Sequence, residues 1–175
     1  MFKQGRMGMF SNKEYKIFIS HSWSHDKNFH KIIQTLDSFR FFKYVNTSIP
    51  SSEALDVNNK QLTERLITLI EQAEVVVFAN DHTSVEFASK SEWIKHEMVT
   101  AWKLNKPILV VKPAGAAVMP GFIFDAAEKI VTFEYHDLAK EIKKLAKIEY
   151  YEPRNPDKIG QSGALKFVHD MDLFE

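Results

Sequence analysis

A tryptophan and a carboxylate stand four residues apart in the run Ser91-Glu92-Trp93-Ile94-Lys95-His96-Glu97-Met98. On a helix that spacing sets Trp93 and Glu97 ~40° apart, at the margin of an apolar stripe of Ile94, Met98 and Ala101. The carboxylate then borders the core and does not point straight into water. Beside a flat ring it could meet a ligand that needs both stacking and a negative charge, as a reacting centre that develops positive charge does. The same residues have a plainer reading. Glu97 could be a solvated carboxylate near Lys95 or Lys103, and Trp93 could be core packing at helical spacing. Residue types and spacing alone leave both readings open.

Positioning such a pair needs a scaffold, and the composition limits which one. With 175 residues, 45% hydrophobic and 26% charged, the chain suits one globular domain with a sizeable core, and two would be cramped. Lysine plus arginine and aspartate plus glutamate both number 23, so the formal net charge is zero. No overall field favours nucleic acid or an anionic membrane as a partner. Cysteine is absent, which removes disulfides, thiolate nucleophiles and cysteine-ligated metal centres. His21, His25 and His30 fit no compact ligand set, so no metal site is expected. Met1 to Phe10 lacks the continuous apolar stretch of a signal peptide, and no segment has the roughly 18 to 20 apolar residues of a membrane span. A cytoplasmic protein is the expectation.

Along the chain, apolar strand-like runs alternate with helical periods. Residues 15–20 read as a buried strand, followed by a helix with Phe29, Ile32, Ile33, Leu36 and Phe39 on one face. Residues 42–46 form a short second strand, and a Ser- and Pro-bearing loop to Val57 leads to a helix burying Leu62, Leu66, Leu69, Ile70 and Ala73. Residues 74–79 are the most hydrophobic strand and the expected centre of a sheet. The Trp93 helix, ended by Asn105 and Pro107, leads into a fourth strand at 107–111, a fifth at 130–133 and a closing helix through Leu138, Ile142 and Leu145. Five strands alternating with helices imply an α/β fold, a parallel sheet with helices on both faces. In the stretch 112–127 only a short helix is expected. The organisation reads as an N-terminal extension at 1–13, a domain at 14–150 and a C-terminal extension at 151–175 that packs loosely on the domain or on a partner. Lys140, Lys143, Lys144 and Lys147 read as a solvated helix face.

In such sheets ligands bind at the carboxyl ends of the strands. No glycine occurs between Gly8 and Gly115, so the first strand-to-helix turn is neither a GxGxxG nor a Walker A loop. The acidic pair of a phosphoacceptor site is missing there, and a GxSxG nucleophile elbow is missing from the chain. What stands at the strand ends is a polar and aromatic collar: Ser20, His21, Ser22, Trp23, Ser24, His25 and Asp26, then Asn46, Thr47 and Ser48, then Asn80, Asp81 and His82. Ser22 and Asp26 could equally cap the following helix, and Asn46 could be only a turn residue.

Three of these places together resemble the TIR domain family, specifically the TIR-like group of bacterial Thoeris antiviral systems. Residues 16–23 look like the family's opening strand and first loop, with His-Ser-Trp where many TIR domains read Ser-Tyr. Residues 42–46, with Ser48 and Pro50, are similar to the second strand and the BB loop after it. Ser91, Trp93 and Glu97 match the third helix, whose glutamate is catalytic in NAD-cleaving members. The matches span residues 14 to 148 in family order.

The resemblance implies a flavodoxin-like TIR fold and cleavage of the nicotinamide–ribose bond of NAD, a substrate and not a cofactor. Nicotinamide leaves as a neutral molecule from a cationic ring, so no general acid is needed, unlike an ordinary glycoside with its paired carboxylates. One carboxylate, Glu97, suffices to stabilise the oxocarbenium-like ribose. By the same resemblance Ser20, His21, Ser22, Trp23, Asn46 and Trp93 hold the substrate. The product in Thoeris-like proteins is a signalling nucleotide, of the cyclic ADP-ribose type, that activates an effector. Self-association through TIR surfaces is implied too, with Thr47 to Val57 as an interface. The competing readings are a non-catalytic TIR-like interaction module and a nucleotide-binding sensor without turnover.

Overall fold

Two five-residue runs that are buried along their whole length, Val75–Ala79 (β3) and Ile108–Lys112 (β4), lie side by side at the heart of the molecule. Continuous burial on both faces is what a parallel strand between two helical layers requires. The computed structural model describes residues 13–20, 27–49, 59–79, 87–114, 117–134, 137–150, 154 and 165–168. Glu14–Ser20 (β1) and Lys43–Asn46 (β2) extend the sheet on one side and Lys129–Thr132 (β6) on the other, giving the order β2-β1-β3-β4-β6 with every pair parallel. That is the flavodoxin-like order, with the crossover between β1 and β3.

Side-chain alternation sends the inner strands β1, β3 and β4 into two separate cores. Phe18, Val76, Phe78, Ile108 and Val110 face Leu62, Leu66 and Ile70 of Asn59–Gln72 (α2) and Ile94, Met98 and Ala101 of Phe87–Lys103 (α3). Ile17, Ile19, Val75, Val77, Leu109 and Val111 face Ile32 and Leu36 of Lys27–Asp37 (α1) and Leu138, Ile142 and Leu145 of Leu138–Leu145 (α5). The five-stranded parallel sheet with helices on both faces is therefore as expected, with β3 at its centre.

Helix α3 ends in a Schellman motif. Asn105 takes a left-handed φ of 52°, Lys106 N–H donates to the Ala101 carbonyl at 2.8 Å and Asn105 N–H to that of Trp102 at 3.0 Å. Pro107 then turns the chain into β4. This stop sets the axial position of everything on α3, Glu97 included.

The stretch 112–127 differs from the expectation. It holds a strand, Ala117–Pro120 (β5), before the short helix Gly121–Ala126 (α4). The partner of β5 is Leu165–Val168 (β7) in the C-terminal extension, paired antiparallel as a second, two-stranded sheet. A four-residue strand whose partner lies more than 40 residues away has no local signature. The extension is also tied down at Arg154, whose guanidinium lies 4.2 Å from the ring centres of both Trp102 and Tyr150 and contacts Glu128 and the Lys106 carbonyl. No helix among the described residues is long and apolar enough to cross a membrane.

Candidate functional site

Ser20 closes β1. It lies on the side of the sheet that Phe18 shares with α2 and α3, because strand side chains alternate, and it is buried. The carboxyl end of an inner parallel strand thus carries a small hydroxyl where its neighbours are hydrocarbon. From α3, Ile94, Met98 and Ala101 pack onto the same core, and Glu97, next to Met98, is carried inward with them. Its relative exposure is only 7%, which removes the reading of a solvated surface carboxylate near Lys95 or Lys103.

The two meet. Ser20 Oγ donates to Glu97 Oε2 across 77 residues of sequence. Burial pushes the Glu97 carboxyl up to about 7, since an anion loses its hydration there, and the hydrogen bond from Ser20 opposes that rise by favouring the charged form. A carboxyl with that balance exchanges its proton near neutrality, where it can act as an anion or as a proton carrier. Glu141, also buried, makes a contrast. It sits on α5, on the other side of the sheet, and is paired with the Lys144 ammonium at 2.5 Å. Among the described residues no cation is paired with Glu97.

The other candidates fall in different places. Asn46 ends the edge strand β2, in register with Ile17, three residues or about 10 Å along β1 from Ser20. Its Oδ1 accepts from the Ser48 N–H at 3.0 Å and the Ser48 hydroxyl at 2.7 Å, an Asx turn that shapes the chain leaving β2. The structure gives Asn46 that local role and does not bring it to Ser20 and Glu97. Trp93 lies on α3 one turn before Glu97, its side chain outside the described residues. His21, Ser22 and Trp23 follow directly on Ser20 and, like His25, Asn80 to His82 and most of the loop from Thr47 to Val57, lie outside the described residues.

One residue near the strand ends was not singled out in the sequence. Lys112 ends β4 fully buried, on the side of the sheet that takes Ile108 and Val110, and its Nζ donates to the Pro113 carbonyl at 3.2 Å. The signal available was a lysine continuing an apolar run at a strand's carboxyl end. Among the described residues no group of three or more His, Asp or Glu side chains stands close enough to hold a metal ion.

With this geometry in hand, comparison with known proteins is informative at one level. The family model of the Thoeris protein ThsB, TIR-like domain, matches residues 18–117, a span that runs from β1 to β5 and contains Ser20, Asn46, Trp93 and Glu97. Among curated proteins nothing matches. Among solved structures the chain is similar to the Clostridium botulinum CMP N-glycosidase BcmB, at 10% identity and a TM-score of 0.36, covering 84% of this chain and 96% of that one. A likeness that distant says nothing about substrate. The family match covers more than half of the sequence, and the chain belongs to the TIR-like domain family of the Thoeris protein ThsB.

Proposed function

We propose that this protein cleaves NAD at the nicotinamide–ribose bond and makes a signalling nucleotide of the cyclic ADP-ribose type, which activates a partner effector in bacterial antiphage defence. The observation that carries the reading is Glu97, a carboxylate withdrawn from water at the carboxyl end of the sheet and held there by the Ser20 hydroxyl. Such a group is suited to a reaction whose transition state brings its own positive charge.

The chemistry follows from the substrate. The nicotinamide ring is already cationic. When the N-glycosidic bond breaks, its electron pair goes to the ring nitrogen, the ring becomes neutral, and the positive charge moves to the ribose. No proton has to be delivered to the leaving group. Glu97 as an anion stabilises the ribosyl cation and accepts hydrogen bonds from the ribose hydroxyls, interactions that strengthen as charge develops. Trp93 stacks on a flat ring of the substrate, and His21, Ser22 and Trp23 hold ribose and phosphate from the end of β1. Capture of the cation by water gives ADP-ribose and a proton. Capture by a hydroxyl or ring nitrogen of the same molecule gives a cyclic isomer and a proton.

The test is incubation of the protein with NAD, alone and under conditions that promote self-association, with nicotinamide and nucleotide products resolved by chromatography and mass spectrometry. Wild type releases nicotinamide and Glu97→Gln does not, with a loss of about a thousandfold or more. Equal NAD consumption by both removes Glu97 from the chemistry. Failure of wild type in every assembly state supports the non-catalytic interaction module.

A further inference from the structure

The sequence offers Ser20 as a substrate ligand, but the structure commits its single proton elsewhere. We propose that Ser20 is a positioning residue for Glu97: its hydroxyl, fixed at the carboxyl end of β1, holds Oε2 and leaves Oε1 to meet the ribose. The proposal rests on Glu97 being the carboxylate that stabilises the ribosyl cation.

Three observations carry it. The hydroxyl is buried and points at one named oxygen, so the bond is shielded from competing water. Its backbone is held by the sheet: Ser20 is in register with Phe78 of β3, three residues past Ile17, where the pairing of β1 with β2 ends. The acceptor stands beside Met98, itself fully buried in the core, so the stretch of helix that carries Glu97 is fixed against the sheet. A carboxylate on a helix face has free rotation about its outer bonds, and one fixed donor on one oxygen selects a single orientation.

Among the described side chains, no charged group around α3 is bonded to Glu97. From α2, packed beside it, Lys60, Glu64, Arg65 and Glu71 are exposed. From α4 there is the half-buried Asp125, an anion, and from β4 the buried Lys112 with its Nζ on the Pro113 carbonyl. On α3 itself Lys95 and Lys103 are exposed and His96 is half-buried. The state of the Glu97 carboxyl is governed by its burial and by the Ser20 hydroxyl.

The experiment uses Ser20→Ala, Ser20→Cys, Ser20→Thr and Glu97→Gln in the full chain. Folding is read from thermal melts, NAD cleavage against pH gives kcat and KM, and the Glu97 side-chain carbonyl is followed by carbon NMR titration. In the Ala and Cys variants kcat falls roughly ten- to a hundredfold with KM changed far less. Both the acid limb of kcat and the NMR titration of Glu97 move to higher pH. Thr, which keeps the donor, restores both. The nearly isosteric Cys, a far weaker donor, covers the case in which Ala disturbs folding. An inactive Glu97→Gln beside a Ser20→Ala or Ser20→Cys of wild-type kcat and unshifted titration overturns the proposal. Loss of kcat with an unmoved titration and no rescue by Thr overturns it as well. An active Glu97→Gln instead overturns the underlying assignment of Glu97, a distinguishable outcome.

Discussion

Ser20 Oγ and Glu97 Oε2 are hydrogen-bonded inside a layer of hydrocarbon, one on the last residue of an inner strand and the other in the middle of a long helix. The bond joins the sheet to α3 at the end of the sheet where parallel α/β folds take their ligands. Burial and this single donor act in opposite directions on the carboxyl, which leaves its proton finely divided near neutral pH.

That division should appear in the rate. If the anion is the working form, kcat/KM for NAD rises as pH increases through about 7 and levels off above it, falling about tenfold per pH unit well below it. A profile of initial rates from pH 5.5 to 8.5 checks this. A flat profile means that the carboxyl does not titrate in the free enzyme or that the anion is not required.

The same group should weaken the fold above neutrality. A carboxyl whose pKa rises from 4.5 to about 7 on folding binds more protons in the native state, so stability falls as pH rises from about 4.5 to about 7 and the cost is complete above that. The shift amounts to roughly 3 kcal/mol. Glu97→Gln, which keeps shape and carries no charge, should therefore melt higher than wild type at pH 8, with the gap closing toward pH 5. Parallel thermal melts at the two pH values measure it.

Arg154 should act as the pin of the C-terminal segment. Its guanidinium lies against Trp102 and Tyr150, pairs with Glu128 and is only 10% exposed. Arg154→Ala should cost about 3 kcal/mol, since it leaves Glu128 and the Lys106 carbonyl without this partner. Arg154→Lys should recover less than half, because an ammonium cannot span two rings and two acceptors as a planar fork does. Urea unfolding of the three proteins gives the numbers.

Asn105 should matter through its backbone first. Asn105→Ala places a β-carbon at a φ of 52°, at a cost of about 1 to 2 kcal/mol, and removes the Oδ1 that accepts the Arg154 N–H at 3.2 Å. Asn105→Gly relieves the first penalty and keeps the second, so its midpoint in urea should lie between those of Ala and wild type.

Much of the fold was legible in the residue order because its signals are local. The β-branched runs at Val75–Ala79 and Ile108–Lys112, the helical spacing of Leu62, Leu66 and Ile70, and the stop at Asn105 and Pro107 are each contained in a few consecutive residues. The strand β5 escaped because its partner β7 is remote in sequence, and Arg154 because a lone arginine in a polar stretch has no pattern.

For the site, periodicity along the chain already places Glu97 at the edge of an apolar stripe on a helix and Ser20 at the end of a buried strand. It could not decide between a solvated carboxylate and a buried one. Edge positions on a helix are covered or exposed according to how the helix rolls on its sheet, and that roll is set by the packing of Met98 and Ala101 against Phe78 and Val110 in one core. Packing turned Glu97 inward and made Ser20 its partner, and Asn46 Oδ1 accepts from Ser48 on the edge strand. Pairing between groups 77 residues apart is a property of packing, and no periodicity along the chain records it.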